Sequence, residues 1–415
     1  MTEDKQPRFF YGYVIVLASF PVIAIMWGTM YSFGVFFESI LTEFGWPRAT
    51  TSIAYSLAML MGGLLSIGTG KLNDRFGPRL VMTGCGISLG LGYLLMSQVS
   101  SLWQLYLLYG ALIGIGMSGA WVPLLSTIAH WFVRRRGMVT GITVSGLSLG
   151  IMIIPPIVSQ LIAAYGWRTA YVVTGIIALL LIVSASQLLK RDPSQIGQLA
   201  YGEEKVALEN SKLEIKGFSL QEAIHTQQLW MLYIMYFSFL FCVGTIAVHM
   251  VIHATGLGLS TTGAASILTV YGGGSIFGRL TVGTASDKIG TRRASTTSLI
   301  LMSAALLWLT TAQDAWMLYP IAAIFGFGYG GFTALMSLMP AELFGLRSLG
   351  VILGFILFGA EIGEAIGPVL AGHIFDITNS YQMAFLISTA VALTGTIMTL
   401  LVKPIHQEDL ISNVK

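Results

Sequence analysis

The chain has 415 residues, of which 55% are hydrophobic and only 10% charged, and its mean hydropathy is +0.77. That is more apolar surface than one water-soluble core can bury, so the composition excludes a soluble domain and demands a lipid bilayer. A net charge of +3 calls for no nucleic-acid partner.

Runs of about 20 apolar residues, the length that crosses a ~30 Å hydrocarbon core as a helix, recur along the whole chain. Twelve are placed, at 11–37, 50–70, 79–99, 102–128, 138–164, 168–189, 228–254, 262–285, 294–312, 316–340, 350–375 and 382–402. The fold expected is therefore all-α. The first run is too long for a signal-peptide core and has no small-residue cleavage pattern after it, so it is read as a retained span. Near its end lies Tyr31, a hydroxyl able to donate to an anionic ligand.

Between the second and third spans stands Gly70-Lys71-Leu72-Asn73-Asp74-Arg75-Phe76-Gly77-Pro78-Arg79. Cys85, in the third span, and Cys242, in the seventh, are read as packed thiols and not as a disulfide. Trp131-Phe132-Val133-Arg134-Arg135-Arg136-Gly137 opens the fifth span. Within that span Gly146-Leu147-Ser148-Leu149-Gly150 matches the hydrolase pattern G-x-S-x-G, but it lies in an apolar helix where no strand-to-helix turn exists. It reads better with Gly137/Gly141, Gly274/Gly278 and Gly363/Gly367 as small residues four apart that permit close helix packing.

The polar stretch from Arg191 to Gln227 divides the chain into an N-terminal bundle, 1–190, and a C-terminal bundle, 228–415, of six spans each. Ser219-Leu220-Gln221-Glu222 in this 191–227 linker fits a capping box, and predicts a short surface helix ahead of the seventh span. His249 and His253 follow in the seventh span, one turn apart. No Cys, Asp or Glu nearby completes a metal set, so His249 is kept as a ligand contact and no metal is expected.

Arg279 is the one cation inside a hydrophobic run, Ala264 to Ala285. An arginine at the centre of a spanning helix costs about 2.5–3.5 kcal/mol on insertion scales, so it is retained for a partner or an anionic ligand. Eight residues separate it from Asp287, which places it roughly 12 Å into the helix from the loop, near the bilayer centre. Its planar fork of donors matches a carboxylate; a structural ion pair with a neighbouring acid is the other reading.

The loop after the eighth span repeats the one after the second: Gly70, Asp74, Gly77 and Arg79 correspond to Gly283, Asp287, Gly290 and Arg292, all 213 positions apart. Phe132 and Gly137 are echoed by Phe344 and Gly350. Two copies of a six-helix unit place a ligand site near the midplane between them. Tyr271 and Tyr329 are further donors, although tyrosines also anchor spans at the membrane interface.

In the eleventh span Glu361 and Glu364 are three apart and share a face, with Glu361 about 16 Å from the helix start at Gly350. A buried carboxylate lacking a full set of partners takes up a proton in place of carrying a costly charge, so these two are the proton-coupling candidates; packing between helices is the alternative. No phosphate-binding loop or cofactor motif is present. Nineteen of the 22 Lys and Arg residues fall in segments on the N-terminal side of the membrane and only Arg48 and Arg168 on the other, which predicts cytoplasmic termini.

The Gly-x-x-x-Asp-Arg-x-Gly-x-Arg loop, its weaker second copy and the 6+6 organisation resemble the major facilitator superfamily over essentially the entire chain. That resemblance implies a transporter of two pseudo-symmetric six-helix bundles, with Asp74, Arg75, Arg79 and Asp287 as gating residues. Narrower still, Trp131 to Gly137 with Gly141 and Gly146, Tyr31-Ser32-Phe33-Gly34-Val35-Phe36-Phe37 and Phe44-Gly45-Trp46-Pro47-Arg48 are similar to monocarboxylate transporters and oxalate/formate antiporters. In that group a single eighth-span arginine binds the substrate carboxylate, a place Arg279 occupies.

The chain departs from the animal monocarboxylate pattern at Ser275, where an aspartate stands, and at Tyr31, where a lysine stands. The second cation of the oxalate pattern is absent, with Ala360 and Glu361 around its place. The function expected is secondary transport of a small monocarboxylate with a proton, by a monomer in the plasma membrane. Carboxylate exchange, drug efflux and a nontransporting receptor remain the alternatives.

Overall fold

A computed structural model describes residues 10–202, 217–345 and 348–403. Among these residues the chain is helical, with isolated bridges joining Phe132 to Tyr201 and Gly217 to Gly345. The basic residues Lys5, Arg8, Lys205, Lys212, Lys216, Arg347 and Lys415 of the topology count lie outside the described residues.

The first span is two helices, α1 (Gly12–Tyr31) and α2 (Phe33–Phe44), separated at Ser32. They are followed by α3 (Arg48–Phe76) and α4 (Pro78–Met96). The fourth apolar run is built from Leu102–Leu105, a π-helical stretch Tyr106–Ile113, Gly114–Met117 and α5 (Val122–Trp131). The next helix, α6 (Arg136–Ser186), is bent where Gly166 takes φ 80° and ψ 159°, within the gap expected between the fifth and sixth spans.

Beyond the polar connection come α7 (Leu220–Ile224), α8 (Gln227–Gly256), α9 (Thr261–Ile289) and α10 (Thr291–Leu309). The chain closes with α11 (Leu318–Leu335), α12 (Leu338–Phe344), α13 (Leu349–Thr378) and α14 (Gln382–Leu401). The capping box ahead of α7 is present, with Ser219 and Glu222 exchanging side-chain and backbone hydrogen bonds.

Among the described residues nine helical stretches are long and apolar enough to cross a membrane. Met138–Ser186 supplies two crossings once its bend is counted, and α9 and α10, richer in Ser, Thr and Arg, complete the expected set. Large apolar side chains such as Leu17, Trp103, Phe277 and Leu280 stand exposed on the helix surfaces, as lipid-facing residues do.

The repeated loops share one backbone solution. Gly77 (φ 82°, ψ 163°) and Gly290 (φ 86°, ψ 148°) each turn the chain in a region essentially closed to residues with a Cβ, and a new helix starts at the next residue. The ends of the polar connection also meet equivalent places: Tyr201 hydrogen-bonds across Trp131 to Arg134 beside Phe132, whereas the Phe218 amide donates to the Phe344 carbonyl at 2.8 Å.

The described chain forms two compact units. One runs to Ser32 and resumes from Leu57 to the polar connection; the other joins Phe33–Ser56 to the residues after that connection. Inside the first, α1 and α6 touch backbone to backbone, since a Cβ on Gly146 would come 2.5 Å from the Phe20 carbonyl oxygen and one on Gly150 2.1 Å from that of Ala24.

Inside the second, Gly274 and Gly278 of α9 abut the Ala323 and Phe327 carbonyls of α11, and Gly326 and Gly330 return the contact on Tyr271 and Ser275. Gly363 and Gly367 of α13 do the same against Phe237 and Phe241 of α8. Gly141 departs from the expected pattern, for it faces open space with no atom near its missing Cβ.

A side chain at Gly330 would begin 1.9 Å from the Ser275 oxygen, so α9 and α11 must separate to admit it. Gly330→Val is expected to cost about 1–3 kcal/mol. Thermal unfolding in detergent should register it as a drop of several degrees, with Gly141→Ala at the wild-type midpoint.

Candidate functional site

Arg279 follows Gly278, so the tight contact of α9 with α11 fixes where its side chain starts. The residue is 9% exposed, and its Nη2 donates to the Thr333 hydroxyl at 3.1 Å. Thr333 in turn donates to the Gly330 carbonyl at 2.9 Å, which leaves its oxygen to accept from the guanidinium. Ser275, one turn earlier, is buried in the helix contact itself and donates to the Gly272 carbonyl at 2.8 Å. Tyr329 stacks on Phe239 with centroids 5.7 Å apart and lies 5.4 Å from the Tyr271 ring, forming an aromatic wall from α8, α9 and α11. Tyr31, buried at the end of α1, belongs to the other compact unit.

The two glutamates are held differently. Glu364 is 2% exposed and accepts a hydrogen bond of 2.9 Å from the Tyr55 hydroxyl, itself wholly buried. Glu361, one turn earlier, is partly accessible and lies with Tyr329 in electrostatic range of Tyr55. Among the described residues no lysine or arginine pairs with either acid. Pro368 has no N–H to offer the Glu364 carbonyl four residues back, and Gly244 of α8 fits against that carbonyl, where a Cβ would be 2.5 Å away. Sequence reasoning set Glu361 ahead on depth along the helix. Depth does not measure enclosure, and Glu364 is the more enclosed.

His249 is wholly buried between protein groups. Its Nε2 lies 2.8 Å from the Pro368 carbonyl, a position only an N–H can occupy, so Nδ1 accepts from the Tyr381 hydroxyl at 2.9 Å. Ser52 and the edge-on Phe37 ring close the remaining side. Tyr381 accepts from Arg48 Nη1 at 2.6 Å, and the same guanidinium lies 3.7 Å above the Phe375 ring. The neighbouring Asp376 carboxylate accepts from the Arg48 and Ala49 amides, both at 2.9 Å, and so caps α3 from another helix. His253 faces the rings of Tyr381 and Phe385.

Sequence reasoning missed this cluster because Asp376 lies one residue past the predicted end of the eleventh span and Tyr381 before the twelfth. The signal available was Arg48, which the charge pattern of the sequence sets apart from nearly all other basic residues.

The four residues expected to gate lie at helix ends. The Asp74 carbonyl accepts from Arg191, Arg79 Nε donates to Gln187 at 2.7 Å, and Arg75 lies over the Phe76 ring. Asp287 is exposed in the last turn of α9.

Long apolar helices that carry a buried arginine, a buried glutamate and a wall of tyrosines define a multi-pass membrane protein. The sequence profile of the Major Facilitator Superfamily matches residues 19–278 and 232–414, and the chain belongs to that superfamily. It is similar to monocarboxylate transporter 13 of Bos taurus, with 29% identity over 93% of this chain and 88% of that one. Monocarboxylate transporter 4 of Rattus norvegicus is 26% identical over 96% of this chain and 84% of its own. The uncharacterized MFS-type transporter YhjX of Escherichia coli (strain K12) is 29% identical, covering 81% and 82%.

Among solved structures, a bacterial homologue of the human lysosomal transporter Spinster, in an inward-facing and occupied conformation, superposes with a TM-score of 0.77 at 16% identity. The match covers 95% of this chain and 97% of that one, and shows a shared fold.

Removing the Asp376 carboxylate leaves the first amides of α3 without that cap. Asp376→Ala is expected to lower stability by about 1–2 kcal/mol, measurable as an earlier thermal midpoint in detergent.

Proposed function

We propose that the chain is a secondary carrier of small monocarboxylates such as lactate or pyruvate, moving each anion together with a proton. Two six-helix bundles, 1–190 and 228–415, joined by the 191–227 connection, would alternate access to a site containing Arg279. The protein would act as a monomer in the plasma membrane with both termini cytoplasmic, and Asp74, Arg75, Arg79 and Asp287 would serve the cytoplasmic gate. Drug efflux and a nontransporting receptor are set aside because neither calls for a buried arginine in an apolar helix.

The observation that carries the reading is a guanidinium placed in an apolar helix, fixed by glycine contacts, with a hydroxyl partner in Thr333. A carboxylate presents two oxygens to such a fork, and in a poorly hydrated cavity that charge-assisted pair is strong. The relatives named monocarboxylate transporters support the same substrate class. One cation favours a monoanion over a dianion, which bears on the oxalate-type exchanger.

Charge balance supplies the coupling. Arg279 with one ionised glutamate is nearly neutral, and adding a carboxylate anion with a proton on that glutamate keeps it so. The anion bound alone would leave a net buried charge, costing several kcal/mol. Tyr31 and Tyr329 are assigned the surroundings of the anion, while Ser275 and His249, bonded to protein groups, are assigned to holding the helices around it. Glu361 and Glu364 are assigned the proton.

Purified protein in liposomes, offered labelled lactate under an inward proton gradient, tests the assignment. Arg279→Ala should lower uptake by about one to two orders of magnitude, the loss of a charged hydrogen-bonded contact. Glu361→Gln should slow or uncouple uptake while the protein remains folded. Undiminished uptake by the arginine variant, or anion entry without alkalinisation outside, would overturn the reading.

A further inference from the structure

Tyr55 has no place in the substrate or gating assignments, yet it makes the hydrogen bond to the more enclosed of the two acids. Its hydroxyl is 2.9 Å from Glu364 Oε1, and its ring packs against Phe33 with centroids 5.7 Å apart. The next residue, Ser56, donates to the Ala365 carbonyl, so two successive residues of α3 are bonded to two successive residues of α13. From the opposite side Gly244 admits the Glu364 backbone, and Pro368 keeps that backbone carbonyl free of a helical donor. The carboxyl group is thus seated by three helices, and Tyr55 supplies its side-chain partner.

We propose that Tyr55 is the positioning residue for proton coupling through Glu364. The inference rests on the reading of the chain as a proton-coupled carrier. Among the described residues the ionisable groups that interact with Glu364 are Tyr55 from α3 and Glu361 from its own helix, with Tyr329 of α11 in range of Tyr55; from α8, Gly244 packs on the Glu364 backbone.

A phenol suits this place because its oxygen works in both directions. Toward an ionised Glu364 the hydroxyl donates, in a charge-assisted bond; toward the protonated acid the same oxygen accepts the carboxyl O–H. The proton arrives at a Glu364 carboxylate oxygen from water on one side and departs to water on the other, and Tyr55 keeps its own proton throughout. What changes with each load is the direction and strength of the bond joining α3 to α13.

Tyr55→Phe removes one oxygen from a site that otherwise keeps its shape. In liposomes two rates separate the roles: exchange of labelled for unlabelled lactate at equal pH, and net uptake driven by a proton gradient across a range of external pH. The variant is expected to lose about tenfold more of the driven uptake than of exchange and to shift its pH profile. Glu364→Gln should do the same, and the double variant should be no worse than Glu364→Gln alone. In infrared spectra the carboxyl stretching band that disappears in Glu364→Gln should be displaced in Tyr55→Phe.

An unchanged pH profile and band in Tyr55→Phe would overturn the assignment, as would equal loss of both rates with a multiplicative double variant. Wild-type protein that neither exchanges lactate nor takes it up with protons would overturn the carrier reading itself, and is seen without any variant.

Discussion

The contact between α9 and α11, where carbonyl oxygens lie directly against glycines, governs the rest of the second unit. Apolar side chains gain little by leaving lipid for each other, so helices in a bilayer associate through close backbone packing. Gly274, Gly278, Gly326 and Gly330 allow it. Arg279 is bound to that seam by being next to Gly278, and Thr333, its partner, lies one turn from Gly330. The fixed geometry of the arginine is a product of residues that have no side chain at all.

The buried polar groups of the unit meet hydroxyls and carbonyls. Arg279 meets Thr333, Glu364 meets Tyr55, and His249 lies between Tyr381 and Pro368. Such partners satisfy the hydrogen bonds of groups largely withdrawn from water. At the start of α3 the Asp376 carboxylate accepts from two backbone amides while the Arg48 guanidinium binds Tyr381 and lies over Phe375, and together these contacts anchor the helix end.

Much of this was legible in the chain. Apolar runs gave the spans because their length is set by the bilayer, and the Ser219 capping box gave α7 because it is a local exchange of hydrogen bonds. Arg279, Glu361 and Glu364 stood out as charges where charge is costly. The break at Ser32, the π-helical stretch Tyr106–Ile113 and the Tyr55–Glu364 bond were not legible. Tyr55 is an ordinary aromatic in an ordinary span, and its meaning arises from a partner 309 positions away. Gly141 shows the converse: spacing four from another glycine is a pattern, but only the neighbour facing it makes a contact.

The corners at Gly77 and Gly290 turn the chain with nearly the same pair of dihedral angles, 213 positions apart. A tandem copying of one ancestral hairpin accounts for the coincidence economically. After such an event most of each daughter segment can drift, as Lys71 against Thr284 and Arg75 against Lys288 have done. The achiral residue at the bend cannot, because every L-substitution there meets the same steric wall in both copies. The two glycines are therefore a fossil of duplication preserved by stereochemistry.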